Sequence, residues 1–374
     1  MRKTLVGLLA ATALVTGATG VTAAPDKIQS HVDGLVKQHE FPAALATVTN
    51  RNGQTSAYTA GTADRTKRTP VPKDGRVRAG SNTKAFVAAV VMQLVGEGKV
   101  ELDKPINHYL PGAVKDDRIT VRQLLNHTSG LANYTEHLGL ENFEELRNRY
   151  FEPRELLDVG NAHAVTGEPG EKFKYSNTNY VLLGLLTQKV TGRPVAEVVE
   201  QRIVRKLGLK DTYWPGVGDK TIRGKHPRGY ALTAGGVVDV TEMDPSWGWA
   251  AGQLVSSTKD LNTFYRALLK GEVVKKPQLD EMKKTVPTKG EMWEGAEYGL
   301  GIVRTPLSCG GEYWGHGGDI HGFETRGGVA ADGRAFSVAV TALPGTFSET
   351  EEEAGKAHEA VLATVDAGLC GGTK

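Results

Sequence analysis

The stretch that decides the fold reads RAGSNTKAFVAAVVMQLV and covers residues 78–95. It places Ser81 where an extended segment turns into an apolar stretch whose spacing predicts a helix over residues 84–98. Lys84 follows three residues later, nearly one helical turn, and so shares a face with Ser81. A buried amine beside a hydroxyl loses its proton readily and can accept the proton that an isolated serine keeps. An N-cap serine followed by a surface lysine would give the same pattern.

A second serine–lysine pair with the same spacing occurs at Ser256 and Lys259. Here residues 257–260, STKD, form a capping box in front of an amphipathic helix predicted over residues 261–269. We therefore interpret this second pair as structural.

Tyr175 and Asn177 stand one residue apart, just before another apolar helical pattern. A tyrosine phenol titrates near about 10, and neighbouring ammonium groups favour the phenolate, so Tyr175 could act as a general base. Asn177 would offer a neutral donor and acceptor to a substrate amide. Pairs of this kind also commonly cap helices, so the pair alone is a weak signal.

The third constellation is WGHGGD, residues 314–319. Its glycines indicate a strand whose backbone is approached closely, as an amide-pairing ligand would require. The backbone N–H groups of Ser81 and Asp319 could then form an oxyanion hole. Taken alone, the segment also fits a glycine-rich turn with a hydrogen-bonded His316.

Periodicity elsewhere predicts strands near both ends of the chain and helices between them. The expected strands are residues 43–49 and 55–60, a hairpin turning at 51–53, followed by 299–303, 323–329 and 335–343. The expected helices are residues 28–36, 120–126, 141–150, 178–191, 195–207 and 351–367. We therefore predict an α/β protein with one sheet, in which residues 25–79 and 250–374 form the sheet domain, residues 80–249 an inserted helical domain, and a catalytic cleft lies between them.

The first residues predict a secretory signal peptide. Arg2 and Lys3 precede an apolar stretch, and small residues end at Ala23 and Ala24. Polar residues dilute the apolar stretch well before the roughly 20 residues that a membrane span requires. We predict a signal peptide over residues 1–24, cleaved near Ala23 or Ala24, no stable membrane anchor, and a secreted mature protein.

The composition of the chain indicates which classes of partner and cofactor to expect. The chain has 374 residues with 45 Lys+Arg against 43 Asp+Glu, and both surplus cations lie in the predicted signal peptide. The mature chain is therefore formally neutral, and we predict no nucleic-acid partner. His316 and His321 lack the carboxylate or cysteine companions of a metal site, and acyl transfer needs no cofactor, so we predict neither. An oxidising compartment favours a disulfide between the two cysteines, Cys309 and Cys370, although two free buried thiols are the alternative.

The order and spacing of the three constellations resemble the serine enzymes that recognise penicillin, with their S-x-x-K, Ser/Tyr-x-Asn and K-T-G motifs. The tyrosine of the second motif and the histidine of the third are similar to the class C β-lactamase branch, especially its secreted D-alanyl-D-alanine carboxypeptidases. ITVRQLLNHTSGL at 119–131, YGLG at 298–301 and the late cysteine pair extend the resemblance over nearly the whole mature chain. It implies a β-lactamase/transpeptidase-like fold, an antiparallel sheet flanked by helices with an inserted, mostly helical domain.

The resemblance also implies roles for individual residues. Ser81 would be acylated, while Lys84 and Tyr175 would shuttle the protons. His316 would replace the lysine of the third motif and face Tyr175, whereas His127, in the segment 119–131, we interpret as structural. The implied substrate-binding residues are Asn177, His316, Gly317, Gly318 and Trp247, although the neighbouring Trp249 competes for the position of Trp247. The implied partners are peptidoglycan stem peptides or other small acyl substrates, with β-lactams as inhibitors or substrates, and the protein would be a monomer.

Two departures from the family pattern bear on the substrate. The carboxypeptidases of this group bind a free C-terminal carboxylate through hydroxyls in and after the third motif and through a nearby arginine. Here Gly317 and Asp319 occupy the hydroxyl positions, and Val303 occupies the arginine position, with Arg304 facing the opposite side of the strand. An Asp319 carboxylate would repel an anionic leaving group unless it turns away.

These observations leave three functions open. The first is a D-alanyl-D-alanine carboxypeptidase that β-lactams acylate. The second is an esterase, a D-aminopeptidase or amidase, or a β-lactamase of the same family, with weakened preference for a terminal carboxylate. The third is a non-catalytic penicillin-binding sensor, which the complete set of Ser81, Lys84 and Tyr175 disfavours.

Overall fold

A computed structural model describes residues 26–371. Its largest element is a nine-stranded antiparallel sheet. The strands are β1 (Ala43–Thr49), β2 (Thr55–Gly61), β3 (Val77–Arg78), β4 (Tyr230–Thr233), β5 (Gly236–Asp239), β6 (Val255–Ser256), β7 (Val286–Pro287), β8 (Glu297–Tyr298), β9 (Val303–Pro306), β10 (Glu312–Gly315), β11 (Gly318–Ile320), β12 (Phe323–Ala330) and β13 (Ala335–Val340). The large sheet runs β2-β1-β13-β12-β10-β9-β8-β7, with β11 paired to β12, while β3–β6 and β4–β5 form two-stranded sheets.

The two ends of the chain meet in this sheet, because β1 pairs with β13 in the register Thr47 opposite Ser337. Strands β10 and β11 both pair with β12, one after the other along its length. The third motif thus lies where β10 gives way to β11. The predicted antiparallel sheet flanked by helices is confirmed.

Most of the helices in the described residues lie between β2 and β7, and helices also cover the sheet. They are α1 (Lys27–Lys37), α2 (Asn82–Gly96), α3 (Ile106–Tyr109), α4 (Val121–Leu125), α5 (Phe143–Leu146), α6 (Pro153–Ala162), α7 (Asn177–Thr191), α8 (Val195–Val199), α9 (Arg205–Leu207), α10 (Trp249–Gly252), α11 (Thr258–Leu269), α12 (Lys276–Met282) and α13 (Glu351–Cys370). A π-helical turn, Glu200–Val204, joins α8 to α9. Short 3-10 turns cover Tyr134–His137, Leu140–Asn142 and Pro245–Trp247.

The sheet separates two apolar cores. Ala44 and Ala46 of β1 pack with α1 and α13, whereas Ala43 and Leu45 belong to the core that contains α2, α7 and α11. This alternation is the period-two pattern of a strand buried on both faces. Helix α2 is buried along nearly its whole length, as expected for a helix that is apolar on all sides. The segment that carries Ser81 is therefore anchored in the core.

Two predicted elements are wrong in extent. The helix expected over residues 141–150 reduces to α5 and a 3-10 turn, because Arg147 instead bonds to the segment 239–244 through both its side chain and its carbonyl oxygen. The strand expected over residues 299–303 is a turn until β9. A Cβ on Gly301 (φ +79°) would lie 2.2 Å from the Cβ of Ala88, so this turn packs directly against α2.

The predicted disulfide is confirmed: Cys309, between β9 and β10, is bonded to Cys370 at the end of α13, 61 residues further along. The predicted signal peptide lies outside the described residues. Within residues 26–371, no helix is both long and apolar enough to cross a membrane.

The disulfide should contribute measurably to stability. Replacing both Cys309 and Cys370 with serine should lower the free energy of unfolding by roughly 4 kcal/mol, because the unfolded chain loses a crosslink closing about sixty residues. Urea unfolding followed by circular dichroism measures this change, with Ser30→Ala on the exposed face of α1 as control. A loss below about 1 kcal/mol would show that the crosslink does not stabilise the fold.

Candidate active site

Ser81 immediately precedes α2 and its side chain does not cap the helix. Lys84 is fully buried, and its Nζ donates to Ser81 Oγ at 2.8 Å and to the carbonyl oxygen of Ala251 at 2.8 Å. The alternative of an N-cap serine with a surface lysine is therefore wrong. The contact with Ala251 could not be predicted from the sequence, because 167 residues separate the partners.

Burial lowers the pKa of the Lys84 amine well below its usual range, and the nearby Asp319 carboxylate opposes this shift only in part. Within residues 26–371 no salt bridge compensates a Lys84 cation, since both hydrogen-bond partners of Nζ, a hydroxyl and a carbonyl oxygen, are neutral. The site therefore favours a neutral amine within hydrogen-bonding distance of the Ser81 hydroxyl.

Tyr175 completes the contact around the serine. The Ser81 hydroxyl is close enough to act on the pKa of its phenol, and Lys84 Nζ lies 4.9 Å from the centre of its ring. Desolvation raises the pKa of the Tyr175 phenol above its usual range. The sequence-based expectation of a phenolate is thus reversed, because a neutral Lys84 supplies no ammonium to stabilise it. Tyr175 is a protonated hydroxyl in this site.

The second serine–lysine pair is structural, as predicted. Ser257 is the N-cap of α11, where its side chain accepts from the backbone N–H of Asp260 at 3.2 Å. Lys259 is exposed. The same sequence pattern therefore has opposite environments at its two occurrences.

Asn177 is the first residue of α7, and a preceding loop holds its side chain. Its Nδ2 donates to Asn133 Oδ1 at 3.2 Å and to Thr135 Oγ1 at 3.1 Å. Its backbone N–H also donates to Asn133 Oδ1, at 3.0 Å. The sequence analysis missed Asn133 and Thr135, which fix the orientation of the amide predicted to bind substrate.

The glycines of the third motif are explained by the protein's own chain. A Cβ on Gly318 would lie 2.0 Å from the carbonyl oxygen of Ala79, and one on Gly80 (φ +51°) would lie 2.9 Å from the backbone nitrogen of Asp319. Strand β11 therefore packs directly against the residues that lead into Ser81. This contact brings the backbone amide of Asp319 next to Gly80, the residue before Ser81, as the predicted pair of oxyanion donors requires.

Gly317 has a different neighbour. A Cβ there would lie 2.9 Å from Nη1 of Arg326, whose guanidinium passes over this glycine to reach Asp319. Arg326 binds Asp319 through two hydrogen bonds, of 2.7 and 3.0 Å, and its Nη2 lies 2.9 Å from the fully buried Glu324. Gly317 and Asp319, the two departures from the family pattern, thus belong to one ion-pair unit. The sequence analysis missed Arg326 and Glu324.

His316, which was expected to face Tyr175, has its hydrogen-bond partners elsewhere. Its Nε2 lies 2.8 Å from the hydroxyl of Tyr298, and its Nδ1 lies 2.5 Å from the carbonyl oxygen of Gly317. Burial lowers the pKa of the His316 imidazole to about 3, and the Arg326 guanidinium acts in the same direction, as Lys84 does when protonated. His316 is therefore neutral where the family pattern has a lysine ammonium.

His127 is more than a support for the helix before it. Its ring stacks on Tyr175 at 4.3 Å between centroids, and its Nε2 lies 3.2 Å from the hydroxyl of Tyr298. Its backbone is left-handed (φ +59°), which is uncommon for a residue other than glycine. The segment NHTSG, residues 126–130, belongs to the family resemblance in the sequence. Its contact with Tyr298, 171 residues from His127, could not be predicted from periodicity.

The two neighbouring tryptophans have different surroundings. Trp247 lies in an aromatic cluster with Phe143 and His321. His321 follows Asp319, the last residue of the third motif, by two positions. Trp249 packs against α7 at Gly184 and lines a separate cavity of about 660 Å³. Of these two tryptophans, Trp247 is therefore the one that lies near the end of the third motif. Among the residues that the structure describes, no group of three or more His, Cys, Asp or Glu could hold a metal ion.

Comparison with known proteins places this geometry in a family. The D-stereospecific amidohydrolase from Streptomyces sp. is 36% identical, with a TM-score of 0.81 and coverage of 93% of this chain and 99% of that one. The D-amino acid amidase from Ochrobactrum anthropi SV3, complexed with L-phenylalanine amide, is 29% identical, with a TM-score of 0.78 and coverage of 90% and 97%.

Curated protein sequences are also similar to this chain, at lower identity and over a smaller part of it. Esterase EstB of Burkholderia gladioli is 28% identical over 199 residues, which cover 50% of this chain and 50% of that protein. Other curated relatives are matched over 37% to 55% of their length, so the chain spans about a third to a half of them. The sequence profile of the Beta-lactamase family matches residues 28–362. This chain belongs to the β-lactamase family.

Proposed function

We propose that this protein hydrolyses small acyl amides and esters through an acyl-enzyme on Ser81, and that amides of D-amino acids are its main substrates. The observation that carries the proposal is the third motif, in which a neutral His316 and the anionic Asp319 replace groups that would bind a terminal carboxylate. The amidohydrolase and amidase named above are structural neighbours over more than 90% of their length. That one is an amidohydrolase and the other an amidase supports an amide substrate.

The proton steps follow from the site. The neutral Lys84 amine accepts the Ser81 proton as Oγ attacks the acyl carbon, and the N–H groups of Ser81 and Asp319 stabilise the oxyanion. Tyr175 donates its proton to the departing nitrogen or oxygen, and the Lys84 ammonium then reprotonates Tyr175. In deacylation, water takes the place of the departed group, the same proton transfers run in the opposite order, and the acid is released. Asn177, held by Asn133, would orient the acyl amide beside Trp247.

The leaving group determines the choice among family activities. Arg326 is the cation nearest to Asp319, but it is buried and already paired with two carboxylates. Arg304 is engaged by Glu297 and Glu312. A leaving group that ends in a carboxylate would therefore meet Asp319 without an available cation, whereas ammonia, an amine or an alcohol would not be repelled.

A D-alanyl-D-alanine carboxypeptidase acting on peptidoglycan peptides is the second candidate, because the acylating residues are the same. Esterase activity is favoured by the relationship to Esterase EstB. We also propose that the protein is exported after removal of residues 1–24, and that β-lactams acylate Ser81.

The two serine–lysine pairs allow a matched test of the nucleophile and base. Ser81→Ala should abolish labelling by a fluorescent penicillin, and Lys84→Met should slow it by at least about 100-fold, because the serine loses its proton acceptor. Lys259→Met, at the exposed pair, should label at the normal rate. Intact mass spectrometry locates the label. Labelling of Ser81→Ala would eliminate this nucleophile.

The neutral amine predicts a distinctive pH dependence. Because burial lowers the pKa of Lys84, the active neutral form is already populated at neutral pH and is lost only as the medium becomes acidic. The raised pKa of Tyr175 keeps its proton through mildly alkaline pH. The value of kcat/KM for a D-amino acid amide should therefore be flat from about pH 7 to 9. A rise that continues towards about pH 10, the range of an ordinary lysine, would contradict the account.

Asp319 should control the leaving-group preference. Asp319→Thr should raise kcat/KM for a peptide ending in D-Ala-D-Ala, relative to its C-terminal amide, by roughly tenfold, because an anionic neighbour is removed. Asp158→Thr, on the exposed face of α6, is the control for loss of one negative charge. Steady-state kinetics with both substrates gives the ratio. An unchanged ratio in Asp319→Thr would mean that this carboxylate does not select the leaving group.

A further inference from the structure

A chain of buried hydrogen bonds links the two sides of the site. It runs from His127, before the second motif, through the fully buried Tyr298 to His316 in the third motif. The neighbouring donors and acceptors, from Ser129 onward, indicate which ring nitrogen or hydroxyl carries each proton of this chain.

Ser129 Oγ accepts from the backbone N–H of Leu131 at 3.1 Å and donates to Asn179 Oδ1 at 2.6 Å. Asn179 Nδ2 therefore faces His127 Nδ1, at 3.0 Å. The backbone N–H of Ser176 donates to the same Nδ1 at 3.2 Å. His127 Nδ1 accepts from two donors and carries no proton, so the neutral imidazole has its proton on Nε2.

That Nε2–H donates to the Tyr298 hydroxyl, which passes its own proton onward. Tyr180, a neighbouring hydroxyl, uses its own proton on the carbonyl oxygen of Leu125. His316 Nδ1 faces the Gly317 carbonyl oxygen and so carries a proton, which leaves Nε2 as an acceptor. Without the Tyr298 proton, this Nε2 would be a buried acceptor with no donor.

We propose that Tyr298 is a positioning residue whose hydroxyl, oriented by His127, holds His316 in its neutral Nδ1–H tautomer and thereby keeps a cation out of the third motif. The proposal deepens the proposed function and rests on it, since it names what excludes carboxylate leaving groups besides Asp319. It also gives His127 a second task, because the same ring stacks on Tyr175.

The surroundings of His316 are consistent with this role. The charged or titratable groups that act on it are Lys84 of α2, Asp319 of β11 and Arg326 of β12, together with His127 and Tyr298. The Arg326 guanidinium disfavours an imidazolium, as Lys84 does whenever it carries its proton, and the Asp319 carboxylate favours one. Removing the Tyr298 hydroxyl takes away the donor that stabilises the neutral ring, so the pKa of His316 should rise.

The proposal is tested by Tyr298→Phe in the full protein. Nitrogen-15 NMR of the histidine rings should show His316 protonated at Nδ1 alone, unchanged from pH 5 to 8, in the wild type. In Tyr298→Phe the ring should titrate within this range. As it gains a proton, kcat/KM for the peptide ending in D-Ala-D-Ala should rise roughly tenfold relative to its amide. Tyr230→Phe, a buried tyrosine that accepts from the backbone N–H of Arg65, should change neither result.

The outcomes separate this proposal from the proposed function. A cationic or Nε2–H His316 in the wild type would overturn it, and this measurement stands even if Tyr298→Phe does not fold. An unchanged tautomer, titration and substrate ratio in a folded Tyr298→Phe would overturn it as well. Failure of penicillin to label Ser81 in the wild type would instead refute the proposed function and leave the tautomer assignment standing.

Discussion

The site depends on one buried hydrogen bond, between Lys84 Nζ and Ser81 Oγ. Placing an amine in the core between α2 and α10 is unfavourable for its charged form, and the fold supplies a hydroxyl and a carbonyl oxygen rather than a carboxylate as partners. Burial thereby increases the share of the neutral amine, the form that can accept the Ser81 proton. Tyr175 follows from the same constraint, because beside a neutral amine its phenol keeps the proton that a leaving group needs.

A second constraint sets what the site can accept. Arg326 reaches the third motif only because residue 317 has no side chain, and it is held there by Asp319 and Glu324. Gly317, Asp319 and Arg326 therefore form a unit, in which changing one member leaves the others without space or a partner. The acylating groups and the leaving-group side of the cleft are thus built from separate interactions, which lets one family use the same chemistry on different substrates.

Much of the fold could be predicted from sequence because its signals are local. The hairpin β1–β2 carries an Asn-Gly turn, α2 and α7 have continuous helical periodicity, and α11 begins with a capping serine. The helix expected at 141–150 failed because Arg147 finds partners about ninety residues away. The strand at 299–303 failed because its glycines serve a turn packed on α2.

The site, like the fold, has a part that local sequence predicts and a part that long-range contacts determine. Ser81 and Lys84 are three residues apart, so helical geometry alone brings them together. Asp319 was noticed as a departure, but its partner Arg326 could not be identified, since strand register determines that contact. Tyr298 was visible only as part of a family segment, and its bonds to His127 and His316 join residues 171 and 18 positions away.

The central claim is that an intact acylating serine serves leaving groups without a carboxylate. The most direct measurement is a competition in which the wild-type protein receives equal concentrations of a peptide ending in D-Ala-D-Ala and of its C-terminal amide, with both leaving groups quantified by mass spectrometry. The account predicts faster release from the amide, by roughly tenfold or more. Equal release, or faster release of free D-alanine, would contradict it.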